Sequence, residues 1–216
     1  MWLNHLERCD QVSSFKEAIQ WIFKVKEGIE GVMSKRYKAR LVARGFTQKE
    51  GVDFNDVFSP VVKHRSIRML LAMVAQFDLE LEQMDVKTAF LYGDLDETIL
   101  MRQPEGYVEK GKEDYVCKLK KSLYGLKQSP RQWNKRFDKF MEHIGFIRSQ
   151  FDHCVYSRFR PENSFVILLL YVDDILIASN NVEDVMRVKA ELNKDFDMKD
   201  LGAASRILGK IGRAHV

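Results

Sequence analysis

The chain predicts an α+β fold, an antiparallel sheet with helices packed on one face, akin to the split βαβ arrangement. Three observations lead there. Residues 165–172 form an eight-residue apolar run, ended by Asp173 and Asp174 and followed by a second run at 175–178, which spells a β-hairpin lifting two carboxylates on its turn. Ile67, Leu70, Leu71, Val74 and Ala75 recur at helical spacing, and so do Trp133, Phe137, Phe140, Met141 and Ile144. Strand, helix, hairpin and helix then follow one another along the chain.

Taken in order, residues 1–20 receive no assignment. Residues 21–26 read as a strand, broken by Gly28 and Gly31, and residues 37–43 as a second, roughly alternating strand before Gly45. Together they make a two-stranded ribbon with one basic face. Ser66 stands as the N-cap of the helix that carries Ile67 to Ala75. Residues 79–91 give a short strand leading through Asp85 to Phe90, closed by Gly93-Asp94, while 94–122 mix turns and short strands. Pro130 opens the next helix and Gly145 ends it. Beyond the hairpin, Asn181 caps a helix with Val185, Val188 and Leu192 on one face.

Composition narrows the class. With 216 residues, 45% hydrophobic and 31% charged, and only 12 Gly and 4 Pro, the chain is no disordered tail, collagen-like repeat or low-complexity array. It is long enough for one domain, or one domain with two lobes. Lys+Arg 35 against Asp+Glu 31 leaves a net charge of +4, too mild to name a partner by itself. Cys9, Cys117 and Cys154 are odd in number and share no metal-ligand spacing, which fits a reduced, intracellular protein. A bilayer-spanning helix needs about 20 apolar residues, so no membrane partner is expected, and the N-terminus carries no secretion signal.

Asp173 and Asp174 adjoin long apolar strands, where two acids are costly unless their charge is offset. A solvated turn is the plain alternative. Asp85 has a similar setting in Gln83-Met84-Asp85-Val86-Lys87-Thr88-Ala89-Phe90, and a strand lying beside the hairpin would let it share a cluster with Asp173. Hard carboxylate oxygens facing substrate phosphates bind Mg²⁺, and two such ions about 3.5–4 Å apart clamp an in-line phosphoryl displacement. Basic residues gather in two runs: six Lys or Arg from 35 to 49 with no acid, and eight from 118 to 139 against Asp138 alone. Either run alone reads as a solvated face; both beside an acidic cluster point to polyphosphate or nucleic-acid backbone. Tyr37, Phe46, Tyr124 and Trp133 are interleaved with them, Trp133 being better explained as core.

Four motifs occur together and in order: Lys38-Ala39-Arg40-Leu41-Val42-Ala43-Arg44-Gly45, Gln83-Met84-Asp85-Val86-Lys87-Thr88-Ala89-Phe90-Leu91, Leu123-Tyr124-Gly125-Leu126-Lys127-Gln128-Ser129-Pro130-Arg131-Gln132-Trp133 and Tyr171-Val172-Asp173-Asp174. In this order and spacing they closely resemble the reverse transcriptase of copia-type LTR retrotransposons, especially those of plant genomes. The resemblance runs from about Trp21 to Gly209.

That resemblance implies a right-hand polymerase of fingers (about 21–80 and 94–128) and palm (about 81–93 and 129–210), with the thumb missing because the family's polypeptide continues beyond Gly209. By it, Asp85, Asp173 and Asp174 are the catalytic acids. Asp85 and Asp173 bridge two Mg²⁺ ions, or Mn²⁺ in their place, with the carbonyl of Val86 helping one and Asp174 supporting. Lys38 and Arg40 hold the triphosphate, where Arg binds phosphate bidentately and Lys acts as a point charge. Phe90 is an aromatic gate against the ribose 2′-hydroxyl, with an ordinary core Phe as the alternative. Gly125 lets backbone approach the nucleotide or template, Tyr124, Gln128 and Ser129 lie alongside, Tyr171 sits under the primer end, and Leu208 and Gly209 lead into the primer grip. The expected partners are an RNA or DNA template with its primer and deoxynucleoside triphosphates. The expected location is the cytoplasm, within the element's virus-like particle, or the nucleus. A catalytically inactive remnant that only binds nucleic acid is the competing reading, and a two-metal nuclease a third. Residues 211–216 coincide with a translation of sequencing-adapter bases and are read as a tail foreign to the domain.

Overall fold

The computed structural model describes residues 6–9, 19–27, 34–51, 53–161, 163–204, 206–207 and 210–211. In chain order the elements are β1 (Leu6–Cys9), β2 (Ile19–Lys26), β3 (Arg36–Ala43), α1 (His64–Phe77), β4 (Glu80–Val86), β5 (Leu100–Arg102), β6 (Val116–Leu119), α2 (Ser129–His143), β7 (Ile147–Arg148), β8 (Val155–Phe159), β9 (Phe165–Tyr171), β10 (Asp174–Ser179), α3 (Val182–Asp195), β11 (Met198–Ala203), β12 (Arg206–Ile207) and β13 (Lys210–Ile211). They divide into two compact units, Met1–Phe58 with Phe90–Trp133, and Ser59–Ala89 with Asn134–Val216. No helix among the described residues is long and apolar enough to cross a membrane.

In the first unit, β2 and β3 pair antiparallel from Ile19↔Ala43 to Lys26↔Arg36. Because side chains alternate across a strand, this register gives Lys24, Arg36, Lys38 and Arg40 one face and Trp21, Phe23, Val25 and Tyr37 the other. The ribbon and its basic face are as expected. A three-stranded sheet, ordered β1-β6-β5, joins a strand from the unassigned residues 1–20 to two short strands within 94–122. Its inward side chains Met101, Cys117 and Leu119 join Ala43, Leu123 and Leu126 in one core. The loop 123–128 lies directly on the end of β3. The amide of Ala43 donates to the carbonyl of Tyr124 at 2.8 Å. Gly125 has φ +92°, and a Cβ there would lie 2.0 Å from the Ala43 oxygen, just as one on Gly45 would lie 2.0 Å from the Gly125 oxygen. Two glycines let two backbones touch.

The second unit is built on a six-stranded antiparallel sheet ordered β11-β4-β10-β9-β8-β7. One face carries Leu81, Leu169, Leu176 and Ala178, which pack with Ile67, Leu70 and Val74 of α1. On the opposite face α3 packs against β4, β9 and β10, and Phe137 of α2 meets the ring of Tyr156 edge-on at 5.8 Å. The expectation of helices on one face is therefore corrected: α1 covers one side, α2 and α3 the other. The cause is legible in β9, whose buried Val166, Leu168, Leu169 and Leu170 are apolar on both sides of the pleat, the pattern of a strand that needs two covers. For the same reason α1, grouped above with residues 21–80, belongs to this unit.

Caps follow the sequence in one helix and depart from it in another. Asn181 Oδ1 accepts from the Glu183 amide at 2.9 Å, and Val185, Val188 and Leu192 are fully buried. Ser66, by contrast, lies inside α1. Its hydroxyl donates to Asp152 Oδ2 at 2.5 Å, and the same oxygen accepts from the Lys63 amide at 2.8 Å. A carboxylate 86 residues away in sequence does the work assigned to Ser66. Pro130 and Gly145 bracket α2 as expected, the glycine at φ +81°.

Candidate active site

The sheet of the second unit brings its acids together by register. Asp174, the first residue of β10, lies opposite Asp85 on β4 and opposite Tyr171 on β9, while Lys199 of β11 lies opposite Asp85 from the other side. Residues directly opposed on adjacent strands project from the same face. Tyr171, Asp174, Asp85 and Lys199 thus form one row across four strands, with Tyr171 also packed against the core cluster that holds the α1 side chains. Asp173 sits in the two-residue turn, and its carbonyl accepts from the Val86 amide at 2.8 Å, tying the turn to the end of β4. Val172 beside it has φ +58°, a strained value for a β-branched residue. The chain leaving β4 is pinned as well. Lys87 donates from its amide to the Asp197 carbonyl at 2.9 Å and from its ammonium to Asp197 Oδ1 at 2.8 Å.

Burial pushes the Asp174 carboxyl above its ordinary value, a hydrogen bond from Gln83 pulls it back, and the charge of Asp85 pushes it up again. The Gln83 bond runs from Nε2 to Asp174 Oδ1 at 3.2 Å. Among the described residues no three His, Cys, Asp or Glu side chains are gathered closely enough to enclose a metal ion. The pair at 85 and 174 is brought together; the expected cluster of three is not closed. The donor set nevertheless suits Mg²⁺: hard carboxylate oxygens with no thiolate or imidazole among them. Cys154, in the same unit, is buried, which drives its thiol up to about 12, as an inert core cysteine requires.

The first unit holds the remaining expected residues. Lys38 and Arg40 are exposed on the basic face of the ribbon. Phe90 lies on a one-turn 3-10 helix, Ala89–Tyr92, and not on the strand expected, since β4 ends at Val86. Its half-buried ring packs against Tyr124 with centroids 5.1 Å apart. Gly125 is required by the contact with β3 described above, whatever approaches its other side. Gln128 and Ser129 are each 1% exposed. The Ser129 hydroxyl donates to the Leu123 carbonyl and accepts from Ser122 Oγ, closing the loop that enters α2. Leu208, Gly209 and all of the 211–216 tail except Ile211, which lies in β13, fall outside the described residues. Sequence reasoning passed over Gln83 and Lys199. Gln83 stands two residues before Asp85, hence on its face of the strand; Lys199 carries no such signal, because only the pairing of β11 with β4 aligns it.

One unit thus carries a sheet with paired acids on one face, and the other a ribbon with a basic face. The sequence profile described as "Reverse transcriptase (RNA-dependent DNA polymerase)" matches residues 11–212, and the chain belongs to that family. It is 55% identical over 190 residues to the Retrovirus-related Pol polyprotein from transposon TNT 1-94 of Nicotiana tabacum, covering 88% of this chain and 14% of that protein. It is 41% identical over 181 residues to the corresponding polyprotein from transposon RE1 of Arabidopsis thaliana, covering 84% of this chain and 12% of the relative. The chain therefore spans about one-seventh or less of these relatives. Among solved structures, an apo telomerase from Candida tropicalis truncated from its C-terminal domain matches over 95% of this chain and 54% of its own, with TM-score 0.38 and 10% identity.

Proposed function

We propose that the chain is an RNA-directed DNA polymerase domain that adds deoxynucleotides to a primer 3′-hydroxyl, with the six-stranded sheet as palm and the β2–β3 ribbon as part of the fingers. The observation that carries this reading is the register placing Asp85 opposite Asp174, with Asp173 tied to the end of β4. Asp85, Asp173 and the Val86 carbonyl are the groups that would hold divalent ions, with Asp174 as a supporting ligand. Ions held there would ease loss of the primer hydroxyl's proton to solvent, so that its oxygen attacks the α-phosphate as pyrophosphate leaves, and would offset the charge on the leaving group. Lys38 and Arg40 supply cations for the triphosphate. Phe90, backed by Tyr124, bars a ribose 2′-hydroxyl by bulk. Tyr171, in the same row as Asp174, supports the primer end.

Primer extension on poly(rA)/oligo(dT) with Mg²⁺ tests the proposal. Incorporation is expected in the parent and is abolished by Asp173→Asn; incorporation that survives the substitution overturns the mechanism. The ribbon's four aligned cations favour one alternative, a remnant that binds nucleic acid without copying it. That reading gives salt-sensitive binding of RNA–DNA duplex and no incorporation at any Mg²⁺ concentration.

A further inference from the structure

Gln83 is out of place by the logic of its strand. It stands on central β4, 7% exposed, on the face shared with Leu81, Leu169 and Leu176. A leucine would fill that position without the cost of burying an amide. The amide nitrogen donates to Asp174 Oδ1. Gln83 is opposite Leu176, so this bond reaches diagonally across the β4–β10 pair to a residue two positions along. Such diagonals span about 7–8 Å between backbones, within reach of a long side chain and beyond that of asparagine.

We propose that Gln83 is a positioning residue for divalent-ion binding: it holds one oxygen of Asp174 and so leaves the other, in a fixed orientation, for the ion. The inference rests on the polymerase reading above and names a part of the site which that reading does not contain. The choice of residue has a chemical logic. A lysine or arginine would fix the carboxylate too, but as an ion pair it would cancel the charge a cation needs. A glutamine N–H is a neutral donor that orients without neutralising. Partners that orient ligating groups typically change metal affinity about 10–100-fold when removed, and with one bond at stake the lower end applies.

The test is a titration of the full 216-residue chain with Mn²⁺, free ion being read by electron paramagnetic resonance, alongside primer extension at varied Mg²⁺. Gln83→Met keeps the shape and removes the donor. It is expected to weaken Mn²⁺ binding about tenfold and to raise the Mg²⁺ needed for half-maximal incorporation by a similar factor. Gln83→Asn, too short to reach, behaves the same way and carries the test if the methionine variant does not fold. In an Asp174→Ala background Gln83→Met has no further effect, as a residue acting only through Asp174 demands. Unchanged Mn²⁺ affinity in both Gln83 variants overturns the inference and leaves the polymerase reading standing. An equal loss in the Asp174→Ala background assigns Gln83 to packing and overturns it as well. A parent chain that binds no Mn²⁺ overturns the reading of the site itself, and this inference with it.

Discussion

Gly125→Ala separates two explanations of the same glycine. If the residue is glycine because a nucleotide or template must pass close to it, the substitution lowers activity and leaves stability alone. If the contact with β3 requires it, the fold suffers first. Two costs add. An L-residue at φ +92° is disfavoured by about 1–2 kcal/mol. A methyl 2.0 Å from the Ala43 carbonyl oxygen meets backbone, which cannot swing away, and overpacking of this kind costs about 1–3 kcal/mol. The sum is about 2–5 kcal/mol, a fall in melting temperature of roughly 4–20 °C for a chain of this size. Thermal melting followed by circular dichroism reads it, and two other glycines divide it. Gly106→Ala has φ +81° but open space around the added carbon, so it shows the backbone cost alone. Gly45→Ala faces the Gly125 oxygen at 2.0 Å and shows the steric cost alone. A Gly125→Ala chain melting within about 2 °C of the parent, or no lower than Gly106→Ala, refutes the reasoning.

Other expectations follow from the same geometry. Phe90→Ala should raise ribonucleotide incorporation relative to deoxyribonucleotide by about tenfold or more in steady-state kcat/KM, since a lost ring no longer excludes the extra hydroxyl. Asp152→Ala removes the acceptor for the Lys63 and Cys154 amides and the Ser66 hydroxyl, and is expected to cost about 2–4 kcal/mol in denaturant unfolding. Asp174 has a folded-state value above that of the unfolded chain, chiefly from burial, so its charged form weighs against folding above that raised value. Below the ordinary carboxylate range both states hold the proton and the effect is gone. Asp174→Asn should therefore raise the metal-free melting temperature at about pH 7 and leave it unchanged near pH 3, as melting scans across pH will show.

What the sequence displays and what it conceals divide along physical lines. The β9–β10 hairpin was legible because seven- and six-residue apolar strands flank an interruption, although its turn is Val172–Asp173 and Asp174 opens β10, and α3 was legible because Asn181 caps it locally. Both signals lie within a few residues of the feature they specify. β1, β5 and β6 are three or four residues long, too short to show a period, and are held by pairing across the chain. The cap of α1 failed for a related reason: Ser66 has the right chemistry, but Asp152 arrives from far along the chain and takes the role. At the site, the motifs suggested Asp85 beside the hairpin with Asp173 as its partner; the register instead sets Asp174 opposite Asp85 and brings in Gln83 and Lys199. The burial of Gln128 and Ser129 was not legible, because it depends on the packing of loop 123–128 and the start of α2 and not on any local pattern.

The turn between β9 and β10 acts as a ruler. With only Val172 and Asp173 between the strands, a single inserted or deleted residue would shift β10 by one place against both neighbours. Every side chain on it would then change sides: Asp174 would turn towards α3, and Leu176 and Ala178 would leave the cover of α1. Substitutions along this hairpin leave that spacing intact, whereas a change in its length keeps Asp174 opposite Asp85 only if the turn itself absorbs it.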